Sequence, residues 1–270
     1  MLFAQSVVPI FHSCLFGGMP QQVGSSVLVA FGPNALLFTA GHVFEWCEGG
    51  SRLLIPTRSG YLELPDAVFR SGAPSTDPKQ DNLDFGHIYL NPDHVQALLA
   101  NGFHATQLAG VTLHDAKDPA RTYAFVGFPE RMNNPRQSLF KSVVVTGPLL
   151  APREYRKLKI DYVRHVAIRY TQQTFRHLDN ANVTRFTPPK PDGMSGGGVW
   201  RLTSDATNHA RVRGAQLAGI IIEHKRSGTV RALVACRVEF LAASVREAYP
   251  WTAPYQPTFR DHEITILRSG

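Results

Sequence analysis

The sequence predicts an all-β fold, a sandwich or barrel, and three observations carry that expectation. Short apolar segments recur at regular spacing, turn-forming residues separate them, and helical periodicity is scarce. In the first half the strand-like segments are SSVLVAF, ALLFTAGHV, RLLIPT, LELPDAVFR and FGHIYL. In the second they are TYAFVGF, KSVVVTG, YVRHVAIRY, GGVWRL, AQLAGIIIE and RALVACRV. The turn KRSGTV between the last two reads as a hairpin, because Gly228 can take a positive φ. Two stretches read as helices: NPDHVQALLANG (91–102), stopped by Gly102, and VEFLAASVREAYP (238–250), stopped near Pro250. Residues 103–120, polar around HDAKDPA, read as the linker between two β units, and residues 251–270 as a tail on the surface.

Bulk properties narrow the class. With 270 residues the chain is long enough for one large domain or two small ones, and 43% apolar and 18% charged residues fit a globular protein rather than a disordered one. No apolar run reaches the roughly 18–20 residues that span a bilayer. The start, MLFAQSVVPIF, has no basic region, continuous apolar core or cleavage site, so no signal peptide is expected. Cys14, Cys47 and Cys236 are odd in number, far apart and without metal-ligand spacing. A disulfide framework is not expected, and the setting is read as cytoplasmic. The net charge of +7 is uneven: Ala151 to Lys190 holds nine Lys/Arg against three Asp/Glu. This stretch is either a solvated inserted loop or an electrostatic footprint for an acidic partner. Tyr155, Tyr162, Tyr170 and Phe175 lie within it, but no nucleic-acid-binding motif accompanies them.

Chemistry concentrates in PPKPDGMSGGGVW (188–200), where Ser195 stands among four glycines before an abrupt return to apolar Val199 and Trp200. A loop that aims two backbone N–H groups at one point beside a hydroxyl has this composition. A serine hydroxyl needs a base at neutral pH. Among eleven histidines His42 stands out, because an apolar strand runs through small Thr39, Ala40 and Gly41 into it, letting the backbone bend. A base needs an orienting carboxylate. Asp84, at the head of the apolar FGHIYL, fits that role, whereas Asp81 reads as a turn residue.

The motifs TAGHV, DFGHIYL and GMSGGG resemble the three catalytic motifs of chymotrypsin-like and trypsin-like serine proteases, in that family's chain order. The resemblance extends over most of the chain, from GSSVLVAFGPNALLFTAGHV to the terminal helix. It implies two six-stranded antiparallel β-barrels with a C-terminal helix: residues 1–110 carry His42 and Asp84, residues 111–250 carry Ser195, and 251–270 follow as a tail. It implies a serine endopeptidase that needs no metal or cofactor and acts on protein or peptide substrates. Ser195 would be the nucleophile, His42 the general base and then acid, and Asp84 the orienter. The N–H groups of Gly193 and Ser195 would form the oxyanion hole, and Gly196 and Gly197 would let substrate backbone approach.

Departures from the pattern are as informative. Val43 stands where secreted members carry a cysteine, which fits a disulfide-free form. Met194 replaces the aspartate that zymogen-activated members pair with a new N-terminus, so regulation by a partner is expected in place of proteolytic trimming. Pro189 and Lys190 occupy the usual pocket-floor region, and Ile222, Glu223 and His224 the substrate-strand positions, so no side-chain preference is assigned. The interval from Asp84 to Ser195 is longer than the family usually has, which suggests an insertion. Gly193 to Gly197 also spells G-x-S-x-G, but an α/β-hydrolase serine precedes its acid and histidine in the chain, and here it comes last. The non-enzyme alternative is a catalytically silent binding or scaffold protein on the same fold.

Overall fold

The computed structural model describes residues 2–13, 18–47, 51–66, 68–71, 83–108, 122–133, 140–147, 149–171, 189–204 and 212–255. Asp81, Cys14, Phe175, most of the 103–120 linker, residues 172–188 of the basic stretch and residues 256–270 lie outside them. The fold is mostly β, with few helices. The first sheet contains β1 (Val7–His12), β2 (Gln21–Phe31), β3 (Asn34–Ala40), β4 (Leu53–Thr57), β5 (Gly60–Glu63), β6 (Val68–Arg70) and β7 (Phe85–Leu90). They run in the order β5-β4-β1-β2-β3-β7-β6 and curl into a half-barrel. After helix α1 (Pro92–Ala100), the two-residue β8 (Thr106–Gln107) adds to β2 in parallel. The second sheet contains β9 (Thr122–Gly127), β10 (Val143–Gly147), β11 (His165–Arg169), β12 (Gly198–Ser204), β13 (Val212–Ser227) and β14 (Val230–Arg237). Its order is β10-β9-β12-β13-β14-β11.

Six strands per sheet hold for the second sheet and not for the first, which has eight. The segment LELPDAVFR, expected as one strand, is split between β5 and β6. Pro65 lies in the break, and a proline has no N–H to donate to a ladder. Helix α2 (Pro152–Leu158), inside the basic stretch, replaces the expected loop. It buries Glu154, Tyr155 and Leu158 and turns Arg153, Arg156 and Lys157 outward, with Lys159 in a left-handed cap.

Period-2 alternation divides the buried side chains into three clusters. Along β2, Val27, Val29 and Phe31 face the second sheet, while Leu28 faces the interior of the first. On β3, Leu36 and Phe38 face outward and Ala35 and Leu37 inward. The shared core also takes Trp200, Leu202, Ile220 and Ile222, and a third cluster around Phe125, Val145, Ile168 and Met194 fills the second sheet's own interior. Sequestering both faces of β2 and β3 fixes one sheet against the other, so groups on the two sheets hold a constant relation. Helix α3 (Val238–Ala248) closes the shared core with Val238, Leu241, Ala242 and Val245. Of the region expected as a tail, the described residues continue from Pro250 in a 3-10 helix, Pro250–Tyr255, with Thr252 buried and Trp251 edge-on to Tyr89.

Candidate active site

His42 and Asp84 are brought together by the antiparallel pairing of β3 with β7, in which Ala40 lies opposite Phe85. The chain leaves β3 into a 3-10 helix over Gly41–Cys47, which turns His42 toward solvent. Asp84 accepts two hydrogen bonds from His42, one from the backbone N–H at 2.9 Å and one from Nδ1 at 2.7 Å. Each uses a different carboxylate oxygen, so the ring is held in one orientation with Nε2 left to accept a proton. Gly41 makes room for this: a Cβ there would sit 2.8 Å from Asp84 Oδ1. Asp84 itself has φ 40, a left-handed conformation in which aspartate is among the better tolerated residues. Burial lowers the His42 pKa, but the hydrogen bond and charge of Asp84 outweigh it. With Glu45 assisting and Arg70 opposing, the net pKa lies above the ordinary 6.5.

The Ser195 loop, which leads into β12 of the second sheet, meets the first sheet at β2. The Ser195 carbonyl accepts the Ser25 N–H at 2.7 Å. A Cβ at Gly24 would lie 3.0 Å from that carbonyl and 2.8 Å from Val43 Cγ2, so Ser195 and the residue after His42 meet across Gly24. Gly196, with φ 87, packs so closely that a Cβ would lie 1.9 Å from Ser25 O and 2.2 Å from Thr39 Oγ1. Gly197 likewise lies against Val126 O. The close approach seen at Gly196 and Gly197 is to the chain's own Ser25 and Val126 carbonyls and the Thr39 hydroxyl. Thr39 is also more than a small residue at a bend: it is buried, and its hydroxyl donates to Ser25 O at 2.7 Å. Ser195 Oγ and His42 Nε2 have no hydrogen-bond partner among the described residues, so the contact between serine and base is not made in this conformation. Such contacts commonly tighten only when substrate binds.

The N–H groups of the loop divide into two sets. Those of Met194, Gly196 and Gly197 donate to Pro191 O, Ile221 O and Met194 O. Those of Gly193 and Ser195 donate to no acceptor among the described residues. Their direction is fixed from behind, because a trans peptide points its carbonyl and its N–H to opposite sides. Asp192 O accepts from Glu130 N at 2.8 Å and Met194 O from Gly197 N at 2.9 Å, so the Gly193 and Ser195 N–H groups face away from those bonds. Gly193 needs φ 85 for this, and a Cβ would meet Gln22, Phe128 and Glu130 within 3 Å. The loop is anchored by the fully buried Met194 side chain, packed on Gly127 in the second sheet's interior.

The substrate-strand positions divide. Ile222 is buried in the shared core, so its side chain is not available to a substrate. Glu223 pairs with Lys225 at 2.8 Å. His224 is exposed and meets Tyr170 edge-on, with its pKa lowered by partial desolvation of the ring and then by Arg231 and Arg226, against Asp192. Tyr170 OH donates to Pro189 O at 2.6 Å, tying β11 to the start of the serine loop. The β12–β13 ladder ends at Gly198 opposite Ile220, and Ile221 then exchanges hydrogen bonds with Gly196 and Gly197. Beyond it, Ile222–Ser227 has no strand paired on that side among the described residues. An unpaired strand edge thus begins beside Ser195.

Among the described residues no group of three or more His, Cys, Asp or Glu is placed to hold a metal ion, and no helix is long and apolar enough to cross a membrane. No protein-family model matches the chain, and no curated protein matches it.

Proposed function

We propose that the protein is a serine endopeptidase with a two-barrel, chymotrypsin-like arrangement. The observation that carries this reading is a carboxylate-held histidine on the first sheet and, bonded to β2 of that sheet, a serine whose loop leaves two N–H groups unpaired among the described residues. In the reaction so proposed, His42 Nε2 takes the Ser195 proton as Oγ attacks the peptide carbonyl, and Asp84 stabilises the imidazolium that forms. The Gly193 and Ser195 N–H groups receive the developing oxyanion. His42 then protonates the leaving amine, and water repeats the sequence on the acyl-enzyme. The open β13 edge favours an extended peptide over a small ester, because a strand added there gains main-chain hydrogen bonds. The exposed Arg153, Arg156 and Lys157 of α2 favour acidic protein partners or substrates.

The second reading, a silent binding protein on the same fold, is favoured by one observation: Ser195 Oγ and His42 Nε2 are not hydrogen-bonded to each other. A fluorophosphonate probe separates the two. Labelling that is lost in Ser195→Ala and His42→Ala, together with cleavage of a peptide library, is expected of the hydrolase. An unlabelled wild-type protein that binds peptides without cleaving them identifies the scaffold.

A further inference from the structure

Gln22 and Ser25 belong to β2, in the first sheet, yet their side chains act on the serine loop of the second. Ser25 is fully buried, and every polar group it has is hydrogen-bonded. Its Oγ donates to Gly193 O at 2.8 Å and accepts from Phe128 N at 2.9 Å. Its N–H donates to Ser195 O, and its carbonyl accepts from Thr39 Oγ1. One residue thus links the loop, the segment after β9 and the strand that leads to His42. Gln22 Nε2 donates to Phe128 O, with a longer contact of 3.4 Å to Gly193 O. Its Oε1 accepts from Asn133 Nδ2 at 2.8 Å, and Asn133 in turn donates to Pro129 O at 2.7 Å.

The segment held in this way, Phe128 to Asn133, carries the Glu130 N–H. That N–H is the donor that grips Asp192 O and so turns the Gly193 N–H toward the site. Releasing it would let the 192–193 peptide rotate and present a carbonyl oxygen where an oxyanion has to be received. We propose that Ser25 and Gln22 are positioning residues: they hold the 192–193 peptide with its N–H toward Ser195. The loop is then set by neutral hydrogen bonds between the two sheets and by buried Met194, without an ion pair to a freed N-terminus. Activity follows the fraction of molecules with the peptide so oriented.

This inference rests on the serine-hydrolase reading, and its test keeps the two apart. Ser25→Ala and Gln22→Ala are assayed for kcat and KM on a peptide substrate, for affinity toward a peptidyl boronic acid, and for affinity toward the product peptide. The pH inflection and the unfolding midpoint are recorded for each. Ser25→Ala is expected to lower kcat by about 10- to 100-fold, below the 10²–10³ that follows loss of a whole oxyanion donor. Boronate affinity falls in the same proportion, while KM, product binding and the inflection stay unchanged. Gln22, at a partly exposed position with a longer contact to the loop, gives the same pattern at about 3- to 10-fold, on the same scale. It keeps the question open to measurement should Ser25→Ala fail to fold. Both variants matching wild type in kcat and boronate affinity, or losing product binding in step with stability, overturns the positioning role alone. A wild-type protein that forms no adduct at Ser195 overturns the hydrolase reading and this inference with it.

Discussion

His42, just after β3, and His87, on the neighbouring β7, lie 45 residues apart in sequence, and their surroundings are opposite. His42 follows β3, is partly open to solvent, and has both oxygens of a carboxylate bound to it. His87 lies on β7, opposite Phe38, and is fully buried. It stacks on Phe69 at 4.6 Å, lies edge-on to Phe38 and tilts against Tyr249. Neither of its ring nitrogens has a hydrogen-bond partner among the described residues, and burial pushes its pKa down to about 4. A net upward shift marks a ring that can cycle a proton against a fixed anion, and a downward one marks a ring kept neutral as packing. The contrast teaches that position along β7 decides the outcome: Asp84 stands just before the strand's first residue, where it holds His42, and His87 points into the shared core.

The largest effect expected from this contrast is on catalysis by the proposed hydrolase. His42→Ala and Ser195→Ala should each lower kcat by on the order of 10⁶, the scale seen when a member of such a unit is removed. His87 substitutions should leave kcat near wild type. Peptide-cleavage assays on folded variants measure both, and a His87 variant as inactive as His42→Ala would erase the distinction.

Asp84→Asn comes next. The amide preserves the shape but no longer requires Nδ1 to be the protonated nitrogen, so kcat should fall about 10⁴-fold. The Nδ1 proton resonance should lose its carboxylate-bound position in NMR spectra. A loss below tenfold would remove Asp84 from the mechanism. Gly193→Ala follows, with an expected loss of about 10²–10³ in kcat as the Cβ displaces the loop donor. That loss should be seen as weaker boronate binding with KM little changed.

Much of the strand pattern was legible because its signals are local, and the expected pairing of His42 with Asp84 is made. Gly228 does take a positive φ, and β13 and β14 meet across it with Ser227 opposite Val230. Asn91 caps α1 through His94 N, and α3 spans nearly the stretch read as helix. Strand β1 was not read, because Pro9 demotes an apolar run. It is tolerated because β4 pairs with β1 only at Phe11 and His12, leaving no ladder there for Pro9 to break. Helix α2, seven residues long, is too short to show periodicity. The roles of Ser25, Gln22 and Thr39 were illegible for a different reason. Their bonds join residues more than a hundred positions apart, or depend on a buried face, and the two serines opening the SSVLVAF segment show nothing of their partners in sequence.

A smaller effect concerns the pH profile. His42 must be neutral to act as base, and its folded pKa lies above 6.5, so kcat/KM should rise with pH through an inflection above that value. Glu45 contributes to the elevation. Glu45→Gln should therefore move the inflection down by a fraction of a unit without changing the plateau. An inflection that stays in place, or moves up, would mean that the charges around His42 do not set its proton affinity.

The smallest effect on activity, and the one most particular to His87, lies in acid stability. The ordinary histidine pKa is 6.5 and that of buried His87 about 4, so between these values the unfolded chain binds the proton and the folded one does not. Stability from this group is complete above pH 6.5 and declines as the pH falls toward 4, by about 3 kcal/mol in all. His87→Leu, close in volume, should leave stability at pH 7 within about 1.5 kcal/mol of wild type. It should also remove this part of the acid loss, so that the variant becomes relatively more stable as the pH drops. Denaturant unfolding at pH 7, 6, 5 and 4.5 measures the difference. A wild-type and variant pair whose stabilities fall in parallel over that range would show that His87 takes up its proton as readily in the folded core as outside it.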